Sequence, residues 1–520
     1  MKKQMSFVAS SLLFVSLLPA QPGILKEKSF SFASTTAAHD AQPLSNSVTD
    51  IVVAHDTLWL GTGKGLSRSI DGGNTWKNYY GTQEFGTEDI SAIAVRGKDV
   101  WVATAHSIEK DNSSLPVGSG FRHSTDGGDT WVSIAQPVDK NNVDTLYYND
   151  VSLIRALGIT TDINNITYDI ALTHDAVWIC SFAGMTRRST DNGQTWERVI
   201  LPPDDLDAIS PTDTLNFDLS PSGGALGLQN NLNHRTFSVI AENDSTVWVG
   251  TAGGINKTTD NGRSWKKFSH TNEANPISGN FVVALDLQKT AHDTILWAAT
   301  INAEGSTEKR GVSYSHDGGL TWTQTLIGEF PHNFGFKGDI VYVPTDNGIF
   351  RSDDFGVSWI QSGSIVDRKT HQHYTQSDFY SAASLGDTAW FGGSDGVIKT
   401  VDSPAIPFGT EWSILHASQP LASASAVYAY PNPFAPGAEV VRIHYSTNGQ
   451  TSPVTVRIFD FGMNLIRTII QNATRSGSGE HDEIWDGKDD RNNNVPNNVY
   501  FFQVTVGSND PQWGKILVLR

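Results

Sequence analysis

Carboxylates are the side chains of this sequence whose spacing most invites a chemical reading. Asp71, Asp126, Asp191, Asp260, Asp317, Asp354 and Asp402 each belong to one recurring phrase. Six copies are close to complete, at 69–76, 124–131, 189–196, 258–265, 315–322 and 352–359, and read Ser/Thr-x-Asp-x-Gly-x-Thr/Ser-Trp. Acids so placed could serve as general acids or bases, or they could organise a turn. The phrase favours the turn. Gly73 can take the positive φ of a tight reversal, while Asp71 and Ser69 can bond loop amides that lack a strand partner. The Trp that follows packs its face between elements. The seven acids are read as scaffold, and no residue is assigned a catalytic role.

Outside the phrase the candidates are fewer. Tyr147 and Tyr148, beside Asp144 and Asp150, suit stacking on a carbohydrate with polar contacts, or a loop held by its own aromatics. Arg155, Arg235 and Arg368 stand outside the repeat frame and join them as candidate ligand contacts. Arg68, Arg188, Lys257, Arg351 and Lys399 precede box residues and are read as architectural. Further acids (Asp204, Asp205, Asp207, Asp213) crowd the insertions, but no spacing singles out a pair. His371 and His373 put two imidazoles on one face of an extended segment without a third ligand, and Asp486, Asp489 and Asp490 lack calcium-loop spacing. No metal and no cofactor is assigned. Cys180, the single cysteine, excludes an intrachain disulfide and fills a slot held by Gly or Ala elsewhere, as a buried small hydrophobe would.

The elements that position these residues are short strands. Upstream of each box stands an aromatic in an apolar run: Trp59, Trp101, Trp178, Trp248, Trp297, Tyr342 and Trp390. Two residues later comes a small or compact one, such as Gly61, Ala103 or Gly392. In the seventh copy Trp412 follows Asp402 by ten residues, but Trp390 and Gly392 keep the frame. Thirteen of the fifteen Trp residues fall in these units, so tryptophan is a packing device here. The units recur about every 56 residues, a length suited to four strands plus loops. In the first, strands are expected over 48–53, 58–61, 65–69 and 75–79. The fold class expected is all-β, a seven-bladed β-propeller over 46–416 whose closure leaves few strand edges. The insertions at 105–119, 133–165, 198–235, 266–279 and 362–376 all fall on the face opposite the boxes. Long loops on a rigid scaffold are where binding usually lives, so the functional surface is expected there, near units two to four.

The boxes resemble those of the Asp-box (BNR) repeat proteins, a group that includes sialidases, xyloglucan-cleaving glycosidases, sortilin-type receptors and photosystem II assembly factor-like propellers. The resemblance spans roughly 46–416 and speaks to fold more than activity. A sialidase-like enzyme would imply three arginines, a Tyr/Glu nucleophile pair and an Asp acid, on six blades and with an Arg-Ile-Pro tripeptide that this chain lacks. A xyloglucan-cleaving enzyme would imply two facing carboxylates and typically a second propeller. The preferred reading is a binding module for a glycan, peptide or protein ligand. The alternative is a glycoside hydrolase of either type, acting from the same face.

The C-terminal stretch carries Tyr430-Pro431-Asn432-Pro433-Phe434, Trp485-Asp486-Gly487, Val499-Tyr500-Phe501 and an apolar tail ending in Arg520. It resembles the immunoglobulin-like, hook-capping type of domain that ends many type IX secretion cargo proteins. That resemblance implies a small β-sandwich over 428–520, the type IX machinery as partner, and a secreted or outer-surface location in a Gram-negative bacterium. At the other end, Lys2, Lys3, the apolar stretch 7–18 and Ala20 read as a signal peptide over 1–20. Linkers are expected over 21–45 and 417–427, and no other segment approaches membrane length. The net charge of −18 lies almost entirely outside 428–520. It disfavours nucleic acid and anionic lipid and favours a neutral or cationic partner.

Overall fold

The computed structural model describes residues 42–519 except 112, 141–143, 150, 221–230, 303–304, 369–372, 418–426, 438–439, 448–449 and 477–479. The expected signal peptide, most of both linkers, Asp150 and His371 lie outside the described residues. Within them the chain is all-β, with a single 3-10 turn at Leu232–His234. Seven small antiparallel sheets follow one another, each a four-stranded meander in chain order. Sheet one comprises Val48–Ala54, Thr57–Thr62, Gly65–Ser69 and Lys77–Tyr79. The later sheets begin at Asp89–Arg96, Thr167–Leu172, Thr236–Ala241, Phe281–Lys289, Gly335–Lys337 and Phe379–Leu385.

The turn phrase explains how each sheet is finished. In sheet one, Ser69 Oγ donates to Asp71 Oδ1 at 2.8 Å and accepts from Gly73 N at 2.9 Å. Asp71 also accepts from Thr75 N at 2.9 Å and Thr75 Oγ1 at 2.7 Å. Amides that no strand can pair are thus bonded by two side chains. Asp126, Asp191, Asp260, Asp317 and Asp354 repeat the pattern. The Thr or Ser hydroxyl is the largest cause holding Asp71, Asp191 and Asp354 down at about 2.

A second device joins neighbouring sheets. Each upstream aromatic sits directly opposite the residue that precedes the box: Trp59 faces Arg68, Trp178 faces Arg188, Trp248 faces Lys257, and Trp390 faces Lys399. These cations lie over their rings, with Lys257 Nζ 4.3 Å from the Trp248 centroid. His123 stacks on Trp101 at 4.2 Å in the same role. The indoles are fully buried and slide beneath the box of the following sheet. Trp59 reaches Gly128 and Trp390 of sheet seven reaches Gly73 of sheet one, where a Cβ would meet the ring at 2.5 and 2.4 Å. Lys399 Nζ donates to Gly72 O at 3.3 Å across the same junction. Sheet seven therefore packs on sheet one as each other sheet packs on its successor.

The worn seventh box is wired differently. Asp402, 3 % exposed, accepts from Tyr342 Oη at 2.6 Å and Arg351 Nε at 2.7 Å, both in sheet six. It binds the preceding sheet rather than its own turn.

Of the insertions at 133–165 and 198–235, which the sequence placed on the face opposite the boxes, the C-terminal ends stay there, with Gly118 N donating to Asp162 O and Arg235 bordering the cavity, while their middle parts fold onto the rim. They form a three-stranded sheet from Thr145–Tyr148, Ser152–Ala156 and Asp218–Leu219, and Ala208–Ile209 extends the outer edge of sheet four. The reason is apolar: Tyr148, Ile154, Ile209, Phe217 and Leu219 bury against Trp178 and Trp265 on the rim. Beyond the seventh sheet, a three-stranded and a four-stranded sheet enclose a separate core around Tyr445, Trp485 and Phe502.

Candidate functional site

The first strands of all seven sheets line one central cavity of about 1300 Å³. Six of them carry a bulge near their start, between Val48 and Asp50 in sheet one and between Thr167 and Asp169 in sheet three. A bulge re-aims the side chains around it. Asp50 Oδ2 accepts from Ile93 N of sheet two at 3.1 Å, and Asp169 Oδ2 accepts from Val239 N of sheet four at 2.8 Å and from Ser238 Oγ at 2.9 Å. Ser238 Oγ in turn accepts from Leu285 N of sheet five at 2.9 Å. Two of the cavity acids are thus staples between sheets.

Asp286 is different. It lies opposite Trp297, at the register position where the other sheets place Val52, Ala94, Ala171, Ile240, Gly335 and Ala383. All seven residues line the cavity. Among the described residues the hydrogen bond recorded to Asp286 comes from its own strand, Leu287 N at 2.7 Å. Burial pushes its carboxyl up to about 7, Leu287 N pulls it down, Asp50 repels it, and Lys289 offsets part of the rise. Burial also raises Asp169 to about 7 and Asp50 to about 6. Each opens on the cavity, so it is flanked by protein on most sides without being sealed from it.

The mouth away from the boxes is aromatic. Phe237 lies 4.6 Å from Phe281, 5.5 Å from Tyr168 and 6.4 Å from Phe182, and the Arg235 guanidinium sits 5.5 Å over Phe182. Phe330, His332 and Tyr380 continue the collar. At the same mouth Ser119 and Glu88 both meet His106, but at one nitrogen, Nδ1, at 2.8 and 3.0 Å. A nucleophile relay needs the nucleophile and the orienting acid on opposite nitrogens of the imidazole base, so this cluster is not one.

Of the residues singled out in the sequence, Arg235 alone borders the cavity. Tyr148 is buried and donates to Arg263 O at 2.7 Å in the fourth box; Tyr147 beside it is exposed on the rim. Arg155 makes a fork to Asp218 at 2.9 and 2.7 Å, Asp144 is exposed with Thr145 Oγ1 at 3.3 Å, and Arg368 pairs with Glu411 on the edge of sheet seven. None of these converges with another on a shared pocket. Asp489 accepts from Arg491 N at 2.9 Å and Asn493 N at 2.8 Å, a turn bonded to itself. Asp50, Asp169 and Asp286 were missed because they lie in strands rather than loops. The signal was present: aligning each first strand on its opposing aromatic sets Asp286 in a row of small or apolar residues.

Residues 187–198, the third box, match the BNR/Asp-box repeat. No curated protein matches the chain. Among solved structures, YCF48 bound to D1 peptide is 15 % identical, covering 72 % of this chain and 100 % of its own, with a TM-score of 0.40. The GH74 enzyme of Niastella koreensis is 13 % identical over 93 % of this chain and 74 % of its own, with a TM-score of 0.48. PorZ, a surface component of the type IX secretion system of Porphyromonas gingivalis, is 13 % identical over 91 % and 75 %, with a TM-score of 0.28. Identities and scores this low leave ligand and activity to the chain's own geometry. The chain carries a BNR/Asp-box repeat within an all-β succession of small sheets.

Proposed function

We propose that this protein is an exported binding protein: a seven-bladed β-propeller whose central cavity takes a ligand with an apolar, ring-stacking body and a cationic end. The observation that carries the reading is Asp286, a carboxyl without a recorded cross-sheet bond among the described residues, set behind an aromatic collar in a cavity large enough for a ligand. A chain such as a lysine or arginine side chain would lay its stem along Phe237 and Phe281 and bring its charge to the acids. The net charge of −18 draws such a ligand in. Arg235 at the collar is the contact for a polar or anionic flank of the same ligand. Export is supported by Lys2, Lys3 and the apolar stretch 7–18, and delivery through type IX secretion by the motifs at 430–434 and 485–487 on a two-sheet, immunoglobulin-like unit.

Hydrolysis is the second reading, favoured by one observation: Asp50, Asp169 and Asp286 line one shared cavity, where two carboxyls could act as acid and base. Against it, Asp50 already serves Ile93 N. Titrating the purified chain with tri-lysine, tri-glutamate and maltotriose, beside fluorogenic sialoside and glucan substrates, separates the readings. Saturable binding of tri-lysine without turnover is expected. Turnover of either substrate would replace binding by hydrolysis, and failure of all three ligands to bind would remove the cavity as the site.

A further inference from the structure

Arg442 is 2 % exposed, yet it lies on the side of its sheet that points away from the core of its own unit. Its strand, Val441–Ser446, buries Val441, Ile443 and Tyr445 in that core. Arg442 alternates to the opposite face, where a guanidinium would normally meet water. Tyr430, its cross-strand partner, has a buried hydroxyl on that same face. Something outside the unit must cover them.

The cover is the short turn at 394–395 between the second and third strands of sheet seven. Arg442 Nη2 donates to Asp395 Oδ2 and lies 3.0 Å from His416 Nε2. Asp395 and His416 are 8 % and 5 % exposed. The socket is itself held: Asp395 N donates to Tyr374 Oη at 3.2 Å, while Gly396 N donates to Asn46 O and Ala417 N to Asn46 Oδ1, each at 2.6 Å. Asn46 therefore fastens the start of sheet one, the end of sheet seven and the floor of the socket together. The plug comes from the C-terminal unit.

We infer that the C-terminal two-sheet unit is a docked partner of the seven sheets, locked by Arg442 in the Asp395–His416 socket, and that the two pieces stay associated when the chain between them is cut. The pair gives the dock its specificity. With one partner removed, the other charge stays buried whenever the units meet, so the docked state alone is penalised.

A protease recognition sequence placed within 418–426 of the full chain allows the test. After cleavage, size-exclusion chromatography at micromolar concentration should give one species of full-chain size. Arg442→Met and Asp395→Asn should each weaken association of the pieces at least about 100-fold, and the double variant should recover part of that loss. The Asp395→Asn change leaves the C-terminal unit untouched, so it reads the contact even if Arg442→Met misfolds. Wild-type pieces that separate at micromolar concentration, or single variants that associate as tightly as wild type, overturn the inference.

Discussion

Gly72 and Gly73 are adjacent, both have positive φ (70° and 81°), and only at Gly73 would an added side chain run into the indole of the inter-sheet clamp. A methyl group on Gly72 would meet nothing within 4 Å, whereas one on Gly73 would meet Trp390 Cη2 at 2.4 Å. The left-handed backbone costs any residue with a Cβ about 1–2 kcal/mol. Gly72→Ala should lose that amount and no more. Gly73→Ala adds the displacement of a buried indole, about 1–3 kcal/mol by analogy with overpacked cores, for a total of about 2–5 kcal/mol. Thermal unfolding of the two variants, followed by tryptophan fluorescence, compares them directly, and Trp390→Phe in the Gly73→Ala background should recover part of the loss. Gly127 and Gly128 form a matched pair against Trp59. Equal midpoints for the Gly72 and Gly73 variants would refute the clamp, because local backbone strain would then account for the whole effect.

Asp402→Ala should cost about 1–3 kcal/mol, since it removes the acceptor of the buried Tyr342 hydroxyl and leaves Arg351 with Asp353 as its carboxylate partner, and more than Asp71→Ala in a complete but exposed box; thermal midpoints rank the two. Stability should peak in mild acid. The folded-state values of Asp50, Asp169 and Asp286, about 6 to 7, lie above the unfolded value, so their contribution is full below about pH 4 and fades as pH rises through 6 and 7. Asp71, Asp191 and Asp354, held near 2, act oppositely: their contribution is present above about pH 4 and lost as pH falls toward 2. A thermal midpoint that climbs steadily from pH 5 to pH 8 would contradict this. Cys180, 0 % exposed, with burial pushing its thiol up to about 12, should resist a maleimide in the native protein and react on unfolding. Native labelling at an ordinary thiol rate would show the strand to be open.

The strands were legible where the sequence carries their turns. The third strand of the first unit is Gly65–Ser69, as read, but the fourth begins at Lys77 rather than at 75 because Asp71 takes both the amide and the hydroxyl of Thr75. The architectural reading of Arg68, Arg188, Lys257 and Lys399 has a physical content the sequence did not reveal, since register alone shows each opposite a tryptophan. The site was less legible. Loop length drew attention to Tyr147, Tyr148 and Arg155, whose neighbours are apolar enough to fold onto the rim. A lone acid inside a hydrophobic strand, Asp286, looked like noise until seven strands were brought around one cavity.

The most direct measurement is calorimetric titration of the full chain with tri-lysine, wild type against Asp286→Asn, at pH 8 and at pH 5.5. The account predicts binding at pH 8 that weakens at least tenfold at pH 5.5 and falls by a similar factor in the variant at pH 8. Equal affinity in the two proteins at pH 8 would mean that the acid behind the collar takes no part in recognition.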